Sequence, residues 1–102
     1  MIEILMVDDH AIFRSGLRRL LADEIDMRIV AEAANGLEAL DHLRRREFNV
    51  VLLDVNMGGR SGLETMRRIR AEWPRLPVIM LSMYPEEQYA PMAFELGANG
   101  YL

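Results

Sequence analysis

The segment IEILMVDDH, residues 2–10, joins an almost unbroken apolar run to three consecutive polar side chains. A continuous apolar run without polar alternation is typical of a parallel strand that is buried on both faces. The run stops abruptly at Asp8, so we expect Asp8 and Asp9 to lie in a loop at the carboxyl end of this strand. The segment therefore predicts a central strand at 2–7 with two acids at its end.

The same pattern returns along the rest of the chain. Further apolar runs predict strands at 27–33, 48–53, 78–81 and 100–102, and apolar residues at helical spacing predict helices at 11–23, 37–46, 63–73 and within 85–96. Strands that alternate with helices imply an α/β fold, with an open parallel sheet and helices on both of its faces. Pro91 leaves two versions of the last helix open: a late or kinked start, or a shorter helix with Pro91 in its first turn.

The first predicted helix is amphipathic. Phe13, Leu17 and Leu20 recur on one side of it, whereas Arg14 and Arg18 lie on the other side. Such a division is typical of a helix that packs by one face, so we expect the arginine face to be solvated.

Composition limits the possible functions. The 102 residues suffice for one domain, and a net charge of −4 argues against DNA binding by the chain itself. The sequence contains no Cys, which excludes disulfides and thiolate metal sites, and no apolar segment long enough to predict membrane insertion. We therefore expect a cytoplasmic domain that has no membrane partner.

Acids and a hydroxyl stand where three of the predicted strands end: the pair Asp8 and Asp9, then Asp54, then Ser82. Taken singly, each is more often a turn or cap residue. Ligands of open parallel sheets gather at the carboxyl ends of the strands, and converging carboxylates repel one another unless a cation lies among them. Oxygen ligands of this kind suit Mg²⁺, and a metal-assisted carboxylate at Asp54 could attack phosphorus to give an aspartyl phosphate.

Five motifs in this order resemble one family over the whole chain: VDDH at 7–10, LLDVNM at 52–57, Gly62, LS at 81–82 and GANGYL at 97–102. The family is the receiver domain of bacterial two-component response regulators. His10 and the SMY segment at 82–84 are most similar to its NarL/FixJ (LuxR-type) subgroup. The resemblance implies a flavodoxin-like, doubly wound parallel sheet of five strands in the order 2-1-3-4-5.

The resemblance also assigns a metal site. Asp54 matches the phosphoacceptor and, by the same resemblance, would itself be a ligand of Mg²⁺. Asp9 matches a direct ligand, Asp8 an acid that holds the waters of the metal, and Asn56 the residue whose backbone carbonyl completes the site. These matches imply a phosphoprotein that is not an enzyme beyond its own phosphorylation and dephosphorylation.

Two further residues match the family's switch. Ser82 matches the hydroxyl residue that moves to bond the phosphoryl group, and Tyr101 the aromatic residue whose rotation follows. The implied phosphate donor is a phosphohistidine on a sensor histidine kinase, with small acyl phosphates as substitutes. DNA would be bound only through a C-terminal output domain of the parent protein, which would control transcription.

The sequence departs from the family pattern at its C-terminus. Family members have a Lys three residues beyond the position of Tyr101 and then a fifth helix, whereas this sequence ends at Leu102 and contains no Lys. We therefore expect residues 1–102 to be a C-terminally truncated receiver domain, without its fifth helix or an effector domain. The apolar strip that this would expose predicts self-association.

Other classes of function remain as alternatives. A pseudo-receiver would keep the fold and act as an interaction module without phosphate; the retained acids argue against it, and the missing Lys argues for it. A flavin carrier would need a phosphate-binding loop after the first strand, where Asp8 and Asp9 stand instead. An aspartate-nucleophile phosphatase would need a second Asp two residues after Asp54, where the sequence has Asn56.

Overall fold

The computed structural model describes residues 1–54, 62–81 and 99–101, and for residues 100 and 101 the backbone alone. Five strands in these ranges form one parallel sheet: β1 Ile2–Val7, β2 Met27–Ala33, β3 Val50–Asp54, β4 Val78–Leu81 and β5 Gly100–Tyr101. Their order is β2-β1-β3-β4-β5. The described helices are α1 Ala11–Leu21, α2 Gly36–Arg45 and α3 Gly62–Glu72. The predicted fold class and strand order are confirmed.

The main core lies between the sheet and the helices α2 and α3. Alternate strand residues point to the same face of a sheet, and here one alternating set meets the apolar residues of the two helices. The buried members of this core include Leu5, Val7, Val51, Leu53, Val78 and Met80 from the strands and Leu40, Leu43, Met66 and Ile69 from the helices. This packing fixes the sheet from which the strand ends project.

The opposite face of the sheet carries α1. Ala33 belongs to the main core, so its neighbour Glu32 points to the other face, where Arg14 of α1 contacts it. No residue of α1, which is described throughout, is buried, and Leu20 is 73% exposed. The expectation of a fully solvated arginine face was wrong for Arg14, whose side chain is only 20% exposed because it lies against Glu32.

Several boundaries differ from those predicted by one or two residues, and the largest differences are at the start of β3 and the end of α1. The third strand begins at Val50 rather than at residue 48, because the side chain of Asn49 takes over the pairing with Glu3. It includes Asp54, which pairs with Leu81 of β4. The first helix ends at Leu21 rather than at residue 23. There the N–H of Ala22 donates to the carbonyl of Arg19, a three-residue spacing that tightens and ends the last turn.

Several predictions fall outside the described residues, namely those for Asn56, for Ser82, and for the helix within 85–96 with Pro91. Tyr101 is described by its backbone alone, which pairs with Met80. Among the described helices, none is long and apolar enough to cross a membrane.

Candidate functional site

Two acids are brought together by the pairing of β1 with β3. The strands are parallel, and Val7 lies opposite Leu53 in their register. The next residues along the two strands are Asp8 and Asp54, so both carboxylates project at the same edge of the sheet. Asp8 is 2% exposed and Asp54 is 8% exposed, which places two acidic groups in a largely desolvated position.

His10 joins these acids to Asp9. Its ring nitrogen Nδ1 lies 3.2 Å from Oδ1 of Asp8 and 2.9 Å from Oδ1 of Asp9. The same nitrogen lies 3.8 Å from Oδ2 of Asp54. One ligand atom from each of the four residues lies within 4.8 Å of all the others. The three carboxylates predicted to converge therefore do so, with an imidazole among them.

Hydrogen bonds hold Asp8 on three sides. Its backbone N–H donates to the carbonyl of Ala33 at 3.0 Å, which extends the pairing of β1 with β2 by one residue. Its carboxylate Oδ1 accepts the N–H of His10 at 2.7 Å. Its carbonyl accepts a hydrogen bond from Nη1 of Arg14. The direction of the Asp8 carboxylate is thus set by the loop that carries it.

The donor set fits a hard divalent cation. Carboxylate oxygens are the ligands that Mg²⁺ prefers, and a few of them suffice because this ion retains several waters. Close carboxylates that are shielded from water repel one another, so a cation among them would be strongly favoured. Asp8, Asp9 and Asp54 could therefore hold a metal ion.

The sequence reading missed Arg14 and Glu32 as neighbours of this site. Nε of Arg14 donates to Oε1 of Glu32 at 3.2 Å, and Nε of Arg18 donates to Oε2 of the same carboxylate at 2.8 Å. The four-residue spacing of the arginines puts both on one helix face and was a usable signal. Nothing in the sequence identified the residue on the sheet that they meet.

A groove of about 580 Å³ lies at the other end of the sheet, where the strands begin, and Arg44, Phe48 and Trp73 are among the residues that line it. Its arginines are engaged by acids: Arg44 lies 3.0 Å from Glu72, and Arg46 lies 2.8 Å from Glu3.

The chain matches a known protein family over most of its length. The family described as the response regulator receiver domain matches residues 4–102. The response regulator UvrY of Escherichia coli (strain K12) is 38% identical over the whole chain, which covers 47% of UvrY. The chain spans about half the length of the curated relatives it matches.

Solved structures give the same result. A two-component response regulator of the LuxR family from Aurantimonas sp. SI85-9A1 has a TM-score of 0.92 and 36% identity, over 97% of this chain and 71% of that one. The Mn²⁺-bound form of response regulator Rcp1 has a TM-score of 0.85 and 26% identity, over 100% of this chain and 80% of that one. The match to residues 4–102 and the identity to UvrY both show the family: the chain belongs to the response regulator receiver domains of two-component signalling.

Proposed function

We propose that the chain is a phosphorylation-dependent switch in which Asp54 accepts the phosphoryl group beside a Mg²⁺ ion held by Asp8, Asp9 and Asp54. The observation that supports this most is the position of Asp54, which ends β3 next to Asp8. Its carboxylate is close to two other acids, where a cation would be held, and it is largely shielded from water. The proposal extends to Asn56, whose backbone carbonyl would complete the metal site.

The proposed chemistry is a single transfer. An oxygen of the Asp54 carboxylate forms a bond to phosphorus while the bond from phosphorus to the donor breaks, and the donor departs with that electron pair. Mg²⁺, when bound, supplies neutralisation of the charge on the phosphoryl oxygens. The burial of Asp54 limits the access of water to the resulting acyl phosphate. His10 and Asp8 keep the loop in place through the hydrogen bond from the His10 N–H.

The output of the switch is also part of the proposal. By family resemblance, Ser82 would bond the phosphoryl group and Tyr101 would follow that movement by rotating. The backbone of Tyr101 pairs with Met80 of β4, the strand that ends one residue before Ser82. Ser82 therefore directly follows the strand with which Tyr101 pairs, which supports the assignment of both residues to one conformational switch.

The proposed partners follow from the relatives. We assign a sensor histidine kinase as the phosphate donor. DNA would be bound by an output domain of a longer parent protein, and we place that protein in the cytoplasm. A relative from Brevibacillus brevis is named a transcriptional regulatory protein, and the solved relative from Aurantimonas belongs to the LuxR family. The exposed apolar residues of α1 support self-association as a further proposed property.

Acetyl phosphate tests the proposal directly. We expect the intact mass of the chain to increase by one phosphoryl group in the presence of Mg²⁺, and we expect EDTA to abolish the increase. Asp54→Asn should lose the increase, whereas Asp41→Asn should keep it because Asp41 is an exposed acid on α2 paired with Arg45. A folded wild type that gains no mass would instead favour an interaction module that works without phosphate.

A further inference from the structure

We propose that Arg14, paired with Glu32, is a positioning residue for the metal-binding loop and sets the direction of the Asp8 carboxylate through the backbone. This inference rests on the proposed function, because it assumes that Asp8 takes part in holding the cation. Arg14 does not belong to the acidic cluster and is not expected to touch the metal or the phosphoryl group. It acts through the residue that it holds.

The contact that supports this lies on the backbone of the loop. Nη1 of Arg14 donates to the carbonyl of Asp8, the first residue after β1. That carbonyl lies in a partly buried position, where an unpaired polar group is costly. The Asp8 N–H is already bonded to Ala33, so Arg14 fixes the other side of the same residue. With both of its backbone groups held, the side chain of Asp8 leaves the main chain in one direction.

Glu32 keeps Arg14 in that position. Its Oε1 accepts from Nε of Arg14 at 3.2 Å, so two different nitrogens of one rigid guanidinium are bonded to two fixed groups. Glu32 lies on β2, which pairs with β1, and Asp8 directly follows β1. The guanidinium that bonds the carbonyl of Asp8 is therefore itself anchored to the sheet through Glu32.

The charge of Arg14 and its positioning role predict opposite effects of its removal on metal affinity. A guanidinium close to a cation site repels the cation, so removing it would strengthen metal binding if its charge were what mattered. If Arg14 acts by holding the loop, removing it weakens metal binding despite the loss of repulsion. The direction of the change therefore separates the two explanations.

Arg18 offers a matched control. It pairs with the same Glu32 carboxylate, through Nε at 2.8 Å, and it has the same charge. Asp8 accepts from Arg14 and, in the described contacts, not from Arg18. Arg18→Gln removes one positive charge and one partner of Glu32 while leaving the carbonyl of Asp8 bonded.

The experiment measures Mn²⁺ binding to the 102-residue chain by the electron paramagnetic resonance of the free ion. Residues that orient metal ligands typically alter metal affinity by about 10–100-fold, so we expect Arg14→Gln to raise the Kd at least about tenfold. Arg18→Gln should stay within about twofold of the wild type, a change of about 0.4 kcal/mol by the relation of Kd to free energy. Without metal, amide exchange of the His10 N–H should be faster in Arg14→Gln than in Arg18→Gln.

The outcomes separate this inference from the proposed function. A wild type that binds Mn²⁺, with Arg14→Gln equal to it or tighter, overturns the positioning role and leaves the proposed function standing. Equal weakening by both variants also overturns it, since it would assign the effect to Glu32. A folded wild type that binds no Mn²⁺ overturns the proposed metal site, and this inference with it. Weakening confined to Arg14→Gln, with faster exchange at His10, supports it.

Discussion

At the scale of single residues, the side chain packed against position 36 requires a glycine there. A Cβ at this position, the first of α2, would lie 2.4 Å from Oγ1 of Thr65 and 3.4 Å from two of its carbons. Thr65 is completely buried on α3, and its hydroxyl has no hydrogen-bond partner in the parts of the chain that the structure describes. The two helices therefore approach closely at a point that leaves no space for a methyl group.

Gly36→Ala should destabilise the fold. Forcing an added carbon into a packed position typically costs about 1–3 kcal/mol, and we expect a decrease of that size in the free energy of unfolding measured in urea. Thr65→Ala in the same chain should recover part of the loss, because it removes the atom that the new methyl group meets.

Gly16→Ala is the control for that variant. Nothing lies within 4 Å of a Cβ at Gly16, which is in the middle of α1, so alanine there should stabilise the helix by about 0.5–1 kcal/mol. Equal destabilisation by Gly16→Ala and Gly36→Ala would contradict the assignment of the effect to Thr65.

Most of the described site could be predicted from individual residues. The abrupt ends of apolar runs located Asp8, Asp9 and Asp54, because these acids directly follow the apolar residues of buried parallel strands. The contribution of Arg14 could not be found in this way. Its role depends on which strand α1 packs against, and that is decided by contacts distant in sequence.

At the scale of secondary structure elements, two asparagines pair strands through their side chains. The N–H of Asn49 donates to the carbonyl of Glu3 at 2.8 Å, and its Oδ1 accepts the N–H of Glu3 at 2.7 Å. Asn99 does the same with Val78, at 2.7 Å and 2.9 Å. Each asparagine stands just before a strand, so β3 and β5 are fixed in register with their neighbours at their first residues.

Asn99→Ala should weaken the attachment of β5. It leaves the N–H of Val78 without its acceptor and removes one acceptor of Arg70 as well, since Nη2 of Arg70 donates to Oδ1 of Asn99 at 2.9 Å. Loss of a partly buried hydrogen bond typically costs about 1–3 kcal/mol, which we expect in thermal unfolding together with faster amide exchange at Val78.

Asn99→Asp provides the comparison, because a carboxylate keeps an oxygen that can accept from both Val78 and Arg70. This variant should retain most of the stability and the slow exchange at Val78. If Asn99→Ala and Asn99→Asp behaved alike, the pairing role of the Asn99 side chain would be wrong.

These asparagines also show why some element boundaries could not be predicted. The bounds that hydropathy predicted for β1, β2 and β4 agree with the observed bounds, since those strands are defined by apolar residues. It placed the start of β3 at residue 48 because Phe48 is apolar and buried. The observed start depends on a hydrogen bond from the backbone of Glu3 to the side chain of Asn49, and apolar patterning contains no information about such bonds.

At the scale of the whole molecule, α1 presents apolar side chains to solvent. Phe13 is 41% exposed and Leu20 is 73% exposed, and seven residues, about two helical turns, separate them on one face. Exposed apolar surface favours association, so we expect the chain to form dimers or larger species as its concentration rises.

Leu20→Ser should shift this association. We expect the weight-average mass from light scattering to fall toward that of the monomer, with the dissociation constant raised by about tenfold, or about 1.4 kcal/mol. Leu37→Ser is the control, because Leu37 is similarly exposed but lies on α2. A wild type that stays monomeric at high concentration, or an equal effect of the two variants, would rule out association through α1.

The central claim is that the phosphoryl group is carried by Asp54, and one measurement locates it without any substitution. Borohydride reduces an acyl phosphate to an alcohol, so a phosphorylated aspartate becomes homoserine, which peptide mass mapping identifies by position. After treatment with acetyl phosphate and Mg²⁺, the account predicts homoserine at position 54. Homoserine at Asp8 or Asp9 instead, or no homoserine in a folded chain, would contradict it.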